Sequence, residues 1–236
     1  MSGMCRMVGL VATHPVETRT LLRDAPRSLW ALSREHPDGW GVAIHDDDAW
    51  RVHRSTASAQ TCSQFEAVVD AAHARVIIAH IRQKTVGATS LANTHPFVRG
   101  RLAFAHNGTI ARIGQLVERS SPGRLAEIEG ETDSERLLAF IATRIDEATD
   151  PEAGLLAAVR ELHAIPELGS ANFLISCGQR LYAHRLGRSL HVLTRHGTPR
   201  TASITIASEQ LTDEHWDELP ERSLWAVDST AVRQLL

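Results

Sequence analysis

The chain opens with a short apolar run, Cys5 to Ala12, that stops at His14-Pro15, a pattern that predicts a buried strand with Cys5 at its edge. Residues from about Val16 to Arg34 read as helical. His36-Pro37-Asp38-Gly39 is turn chemistry and feeds a strand from Trp40 to His45, after which Asp46-Asp47-Asp48 reverses the chain into a second strand, Trp50 to Arg54. The stretch from about Ala59 to Ala74 has the spacing of an amphipathic helix. Val76 to Arg82 alternates, with Ile78, His80 and Arg82 on one face and Ile77, Ala79 and Ile81 on the other, so Arg82 leaves the sheet at its end.

Leu102 to His106 predicts another short strand, broken at Asn107-Gly108, where glycine frees the backbone to turn and expose its amides. Thr132-Asp133-Ser134-Glu135 reads as a capping box for a helix carrying Leu137, Leu138, Ile141 and Ile145, with Asp133 in its first turn. A second helix spans about Glu152 to His163. Short strands follow at Ala171 to Ser176, Leu181 to Arg185, Leu190 to Thr194 and Ile204 to Ala207. Two long central helices with strands in hairpins on either side predict a layered α+β fold with largely antiparallel sheets.

Composition narrows the class. With 236 residues, 43% hydrophobic and 22% charged, the chain is an ordinary globular protein, expected to form one domain over residues 1–236. A net charge of -3, with Lys and Arg spread along the chain, offers no patch for a phosphate backbone, so no nucleic-acid partner is expected. No run reaches the roughly 18 to 20 apolar residues of a bilayer span and no signal-peptide core is present, so no membrane association and a cytoplasmic location are expected. Cys5, Cys62 and Cys177 form no CxxC pair, which fits a reducing compartment.

Cys5 near the chain start can be a nucleophile activated by an α-amine, or simply a buried strand cysteine. Asn107 and Gly108 can direct a side-chain amide and a backbone N–H at one oxyanion, or form a plain turn. Arg82 can hold a carboxylate and Asp133 an ammonium, although a surface arginine and a helix-start aspartate explain both as well. His80, His95 and His106 raise a metal hydrolase as an alternative, without HExxH or other tight ligand spacing; no metal and no cofactor are expected. Cys62 and Cys177 read as packing residues.

Taken together, Met4-Cys5-Arg6, His36-Pro37-Asp38-Gly39-Trp40-Gly41, Ala79-His80-Ile81-Arg82, Asn93-Thr94-His95-Pro96-Phe97, Ala105-His106-Asn107-Gly108 and Gly130-Glu131-Thr132-Asp133-Ser134-Glu135 resemble, in order, the class II glutamine amidotransferases, and most closely their stand-alone branch. The resemblance covers about Met4 to Arg144. It implies the four-layered αββα sandwich of N-terminal-nucleophile hydrolases. It further implies that Cys5 attacks a γ-carboxamide with its own amine as proton shuttle, that Asn107 and Gly108 hold the oxyanion, and that a γ-glutamyl thioester forms. Arg82, with Thr85 nearby, would bind the substrate α-carboxylate and Asp133 its α-ammonium. Three functions share that pocket: hydrolysis of a γ-glutamyl amide, glutaminase supply of ammonia to a separate synthase subunit, and inactive glutamyl binding. Direct hydrolysis is favoured, because the sequence shows no acceptor domain. Met1-Ser2-Gly3-Met4 precede Cys5, so its amine is not free as written. Either Met4 is the true start, or the extra residues are foreign to the natural chain, or a short leader is cleaved.

Overall fold

A computed structural model describes residues 5–46, 48–84, 87–198 and 201–236. Strand β1 (Arg6–Glu17) is followed by a helical turn over Thr20–Asp24 and the short α1 (Leu29–Leu32); then come the hairpin β2 (Trp40–Asp46) and β3 (Ala49–Ser55), α2 (Ser63–Ala71) and β4 (His73–Ile81). The middle of the chain forms β5 (Phe97–Arg99), β6 (Leu102–Ile110), α3 (Ile113–Glu118), α4 (Pro122–Ala126), α5 (Asp133–Glu147) and α6 (Pro151–Ala164). The last third supplies β7 (Gly169–Ser176), β8 (Leu181–Arg185), β9 (His191–Arg195), β10 (Ser203–Ala207), β11 (Asp217–Glu218), β12 (Ser223–Val227) and β13 (Val232–Gln234).

One sheet runs β11-β9-β10-β1-β4-β2-β3 and the other β13-β12-β8-β7-β6-β5, and every pairing among the described residues is antiparallel. Period-two alternation sorts the apolar side chains into three slabs. Ile77, Ala79 and Ile81 of β4 join Trp40, Val42 and Phe65 beneath the helices of the first sheet. Phe104, Phe173 and Ile175 pack against Leu137, Phe140 and Leu155 of α5 and α6. Met7, Val11, Ile78, Ala103, Ala105 and Leu174 meet between the sheets. The result is the expected αββα sandwich. Among the described residues no helix is long and apolar enough to cross a membrane.

Four expectations change. The helix expected over Val16 to Arg34 is strand up to Glu17, because β1 resumes pairing with β4 past an irregularity at Val11/Val16, and Pro15 falls in that gap where no ladder donor is required. Pro26 then stops the helical turn and Ser28 caps a new one, its Oγ accepting from the Ala31 N–H at 3.3 Å. The expected Ala59 to Ala74 helix is only Ser63–Ala71, preceded by a single tight turn. Asn107-Gly108 does not break a strand: β6 continues to Ile110, with Asn107 opposite Asn172 and Gly108 opposite Ala171. The capping box is not reciprocal either. Thr132 makes no side-chain cap, and Glu135 turns away to accept from the Glu129 and Gly130 N–H groups, both at 2.9 Å, and from Arg99 at 3.0 Å.

Gly154 shows how closely α5 and α6 approach. A Cβ on it would stand 2.5 Å from the Arg144 carbonyl oxygen and 2.7 Å from Ile145 Cα, both backbone atoms that cannot rotate away. Alanine in a helix interior ordinarily gains up to about 1 kcal/mol over glycine. Here the sign reverses: Gly154→Ala is expected to lose about 1 to 3 kcal/mol in urea unfolding, and a gain would mean that the two helices separate freely.

Candidate active site

The start of β1 and the end of β4 lie side by side, Arg6 paired with Ile81, so Cys5 and Arg82 emerge from neighbouring strands at one end of the sandwich. Alternation turns Cys5 to the same side as Met7 and Val11, and Arg82 to the same side as Ile78, which is the space between the sheets. The Cys5 thiol donates to the Gln83 carbonyl at 3.4 Å and its sulfur accepts from the Gln83 N–H at 3.3 Å. The Asp38-Gly39 turn locks this exit in place: Arg82 N–H donates to the Gly39 carbonyl at 2.8 Å, Asp38 N–H to the Arg82 carbonyl at 3.2 Å, and Lys84 N–H to Asp38 Oδ2 at 2.8 Å. Arg82 is buried, and its guanidinium reaches the Ala88 carbonyl at 3.1 Å.

Burial pushes the Cys5 thiol up, while the Gln83 contact and the Arg82 and Arg188 charges oppose it. A thiol raised in this way stays protonated until a base removes its proton. His36 binds Gln83 Oε1 through Nδ1 at 2.9 Å and is itself pushed down by burial first and then by Arg6.

The facing wall is β6. Asn107 shares the side of Ala103 and Ala105 and so faces the inter-sheet space. Thr109 N–H donates to Ser170 Oγ on the β7 side at 3.1 Å, whereas Ile110 N–H points to the opposite edge and donates to Asp133 Oδ2 at 2.7 Å. N–H direction alternates along a strand, so the Gly108 N–H lies on the Ile110 edge, where β5 has already ended, its pairing stopping at Phe104. The amide is thus presented by a short neighbouring strand rather than by a turn. Glycine is required because a Cβ at 108 would run into the Ser170 carbonyl oxygen and stand 2.6 Å from His106 Nε2.

Asp133 is only 5% exposed and holds the start of α5 to the end of β6. Ser134 Oγ lies 2.8 Å from His106 Nδ1 and donates to Asp133 Oδ1 at 3.4 Å, while His106 Nε2 is 3.2 Å from the Ser170 carbonyl. Of the residues expected from sequence, Cys5 and Arg82 stand at the adjoining ends of β1 and β4, Asn107 and Gly108 lie on β6 of the other sheet, and Asp133 is held to the end of β6 at the start of α5. Thr85 and Met1 to Met4 lie outside the described residues. His80 and His95 stack with centroids 4.4 Å apart, but the described residues place no group of three or more His, Cys, Asp or Glu that could hold a metal ion. Cys62 packs against the core beneath the first sheet, and Cys177 lies past the other end of β7.

Two residues of this region were not found from sequence. Asn172, opposite Asn107, donates through Nδ2 to the Arg188 and Ser189 carbonyls, each at 3.0 Å, and accepts from the Leu186 N–H at 2.8 Å. An asparagine inside the apolar run Ala171 to Ile175 is the signal that marks it, since buried polar groups need partners. Arg188 sits in the β8–β9 turn, and nothing local singles it out.

A family model described as glutamine amidotransferases class-II matches residues 4–205. The chain is similar to an uncharacterised protein of Methanocaldococcus jannaschii, 31% identical over 207 residues; the match takes in 81% of this chain and 54% of that protein, about half its length. It is similar to the gamma-glutamyl-hercynylcysteine sulfoxide hydrolase of Mycobacterium tuberculosis, 30% identical over 241 residues, with 97% of this chain and 95% of that one covered. The solved glutamine phosphoribosylpyrophosphate amidotransferase of B. subtilis shares the fold at TM-score 0.72 and 17% identity, over 98% of this chain and 48% of that one.

The buried histidines make the fold acid-sensitive. His80 is pushed from 6.5 down to about 3 by burial first and the His106 and Arg82 charges next; His184, whose Nε2 lies 2.9 Å from His163 Nε2, is likewise pushed to about 3 by burial. Both are neutral in the fold and would protonate near 6.5 when unfolded, so the unfolded chain binds protons that the folded one refuses. Stability therefore falls as pH drops from about 6.5 towards 3, by up to about 1.4 kcal/mol per pH unit for each histidine. Urea midpoints at pH 7 and pH 5 measure the slope, which His80→Gln is expected to make shallower; an unchanged slope would contradict this origin.

Proposed function

The chain belongs to the class II glutamine amidotransferase family, and from that premise we propose that it is an amidohydrolase that opens a γ-glutamyl amide through a thioester on Cys5. The observation that supports this reading best is the pairing of Arg6 with Ile81, which brings a thiol and a buried arginine out side by side at one corner of the first sheet, with an asparagine turned into the same inter-sheet space from β6 and a buried carboxylate at the β6 edge. We read the whole of residues 1–236 as one such domain.

In this mechanism Arg82 binds the substrate α-carboxylate and Asp133 its α-ammonium, which fixes the glutamyl half at both charges and presents its γ-carbonyl to Cys5. Cys5 Sγ attacks that carbon, and the thiol proton passes to the Cys5 α-amine. The carbonyl oxygen becomes an oxyanion held by the Asn107 side-chain amide and the Gly108 N–H. As the C–N bond breaks, the α-amine returns the proton to the departing nitrogen, leaving a γ-glutamyl thioester. Water then attacks the thioester, giving glutamate and restoring the thiol. The α-amine suits this work because its ordinary pKa is about 8, whereas the Met4-Cys5 amide nitrogen is not basic. The active form therefore begins at Cys5.

Direct hydrolysis of a γ-glutamyl compound is supported by the near full-length match to the mycobacterial hydrolase. Supply of ammonia from glutamine to a separate synthase subunit is the second reading, favoured by the B. subtilis amidotransferase, of which this fold makes up 48%. Glutamine and γ-glutamyl compounds are the substrates these two readings share, and neither requires a cofactor.

Two measurements test the proposal. Cys5→Ala is expected to lower γ-glutamyl amide hydrolysis about 1,000-fold or more while ligand binding survives, whereas Cys62→Ala keeps activity. A chain beginning at Cys5 is expected to turn over while one that keeps Met1 to Met4 is nearly inactive, with turnover tracking the processed fraction by intact mass. Full activity of the homogeneous unprocessed chain would refute the N-terminal base.

A further inference from the structure

A hydroxyl carries one proton, and that of Ser134 has two acceptors within reach. Its Oγ stands 2.8 Å from His106 Nδ1 and 3.4 Å from Asp133 Oδ1, so the proton is contested. All three residues are buried where the start of α5 meets β6. The far nitrogen of the ring decides the contest. His106 Nε2 lies 3.2 Å from the Ser170 carbonyl, an oxygen that has no proton to give, so Nε2 carries the N–H and donates. Gly108 keeps that path open, since a Cβ there would run into the Ser170 carbonyl oxygen and stand 2.6 Å from Nε2. Burial holds the imidazole below its ordinary pKa, against the pull of Asp133 and of the Ser170 carbonyl, so the ring is neutral and Nδ1 is a bare lone pair.

Nδ1 must then accept, and the Ser134 proton goes to it along the shorter contact. Asp133 is anchored through Oδ2, which accepts the Ile110 N–H at 2.7 Å, while Oδ1 is left facing the lone pairs of the Ser134 oxygen. A buried acceptor in that position is costly until a donor arrives, and a cation that donates to Oδ1 removes the cost. Resting on the reading of Asp133 as the site of the substrate α-ammonium, we propose that His106 and Ser134 are positioning residues that withhold the hydroxyl proton from Asp133 Oδ1, so that the pocket selects γ-glutamyl compounds with a free α-ammonium over glutaryl compounds that lack it. Without the imidazole acceptor the hydroxyl turns to Asp133, occupies Oδ1 and competes with the ammonium. Removing the hydroxyl as well frees Oδ1 again.

The test measures, by calorimetry, the Kd of glutamine and of glutaramate, the same molecule without the α-ammonium, on the Cys5→Ala chain freed of Met1 to Met4. Glutamine is expected to bind about 10- to 100-fold more tightly. Adding His106→Phe is expected to erase about tenfold of that preference, Ser134→Ala alone to leave it standing, and His106→Phe with Ser134→Ala to recover most of it. A merely structural role would make the double substitution worse than either single one, and that result, or a preference that His106→Phe leaves intact, would overturn the proposal. Ring-nitrogen NMR of the unsubstituted chain gives a second answer that no folding defect can blur: His106 is expected as the neutral Nε2–H tautomer, and an Nδ1–H tautomer would overturn the proposal by itself. Equal affinity for glutamine and glutaramate in the Cys5→Ala chain would overturn Asp133 as the ammonium site and this proposal with it, whereas the role of Cys5 is decided separately by its acylation.

Discussion

The register between β1 and β4 is the constraint on which the site depends. Arg6 pairs with Ile81, so the residue before β1 and the residues after β4 share one corner, and alternation turns Cys5 and Arg82 into the same space. A slip of one residue would rotate Cys5 towards the helix layer and remove it from Gln83. Register is held by burial on both faces: Ile77, Ala79 and Ile81 fill one slab and Ile78 the other, so every shifted pairing exposes or misplaces apolar side chains. The core and the chemistry are thus specified by the same pairing.

The second sheet contributes by ending early. β5 covers β6 only as far as Phe104, and the edge beyond it would be left with unpaired amides. Asp133 caps one of them, at Ile110, while alternation leaves the Gly108 amide on the same edge, beyond the end of β5. The buried carboxylate therefore fastens α5 to β6 and stands beside the proposed oxyanion site. Substitution of Asp133 should accordingly disturb folding and binding together.

Much of this was legible in the sequence. The alternation of Val76 to Arg82 placed Arg82 at the sheet end, and the apolar spacing after Thr132 placed Asp133 at a helix start, because both signals are local and periodic. The Asn107-Gly108 pair was misread as a turn: the dipeptide signals turns through backbone freedom, whereas here glycine meets a close approach to Ser170, a tertiary fact with no local trace. The Val16 to Arg34 segment failed for a related reason, since its outcome depends on the partner strand β4. Arg188 and Asn172 are joined to the site only by long-range pairing and could not be read from neighbours in sequence.

The account stands on covalent chemistry at Cys5. The most direct measurement is peptide mapping after acid quench of the chain that begins at Cys5, mixed with a γ-glutamyl amide during turnover. One glutamyl group is expected on the Cys5 peptide, and none on the peptides carrying Cys62 or Cys177. A glutamyl group on either of those cysteines, or steady turnover with an unmodified Cys5 peptide at every time sampled, would contradict it.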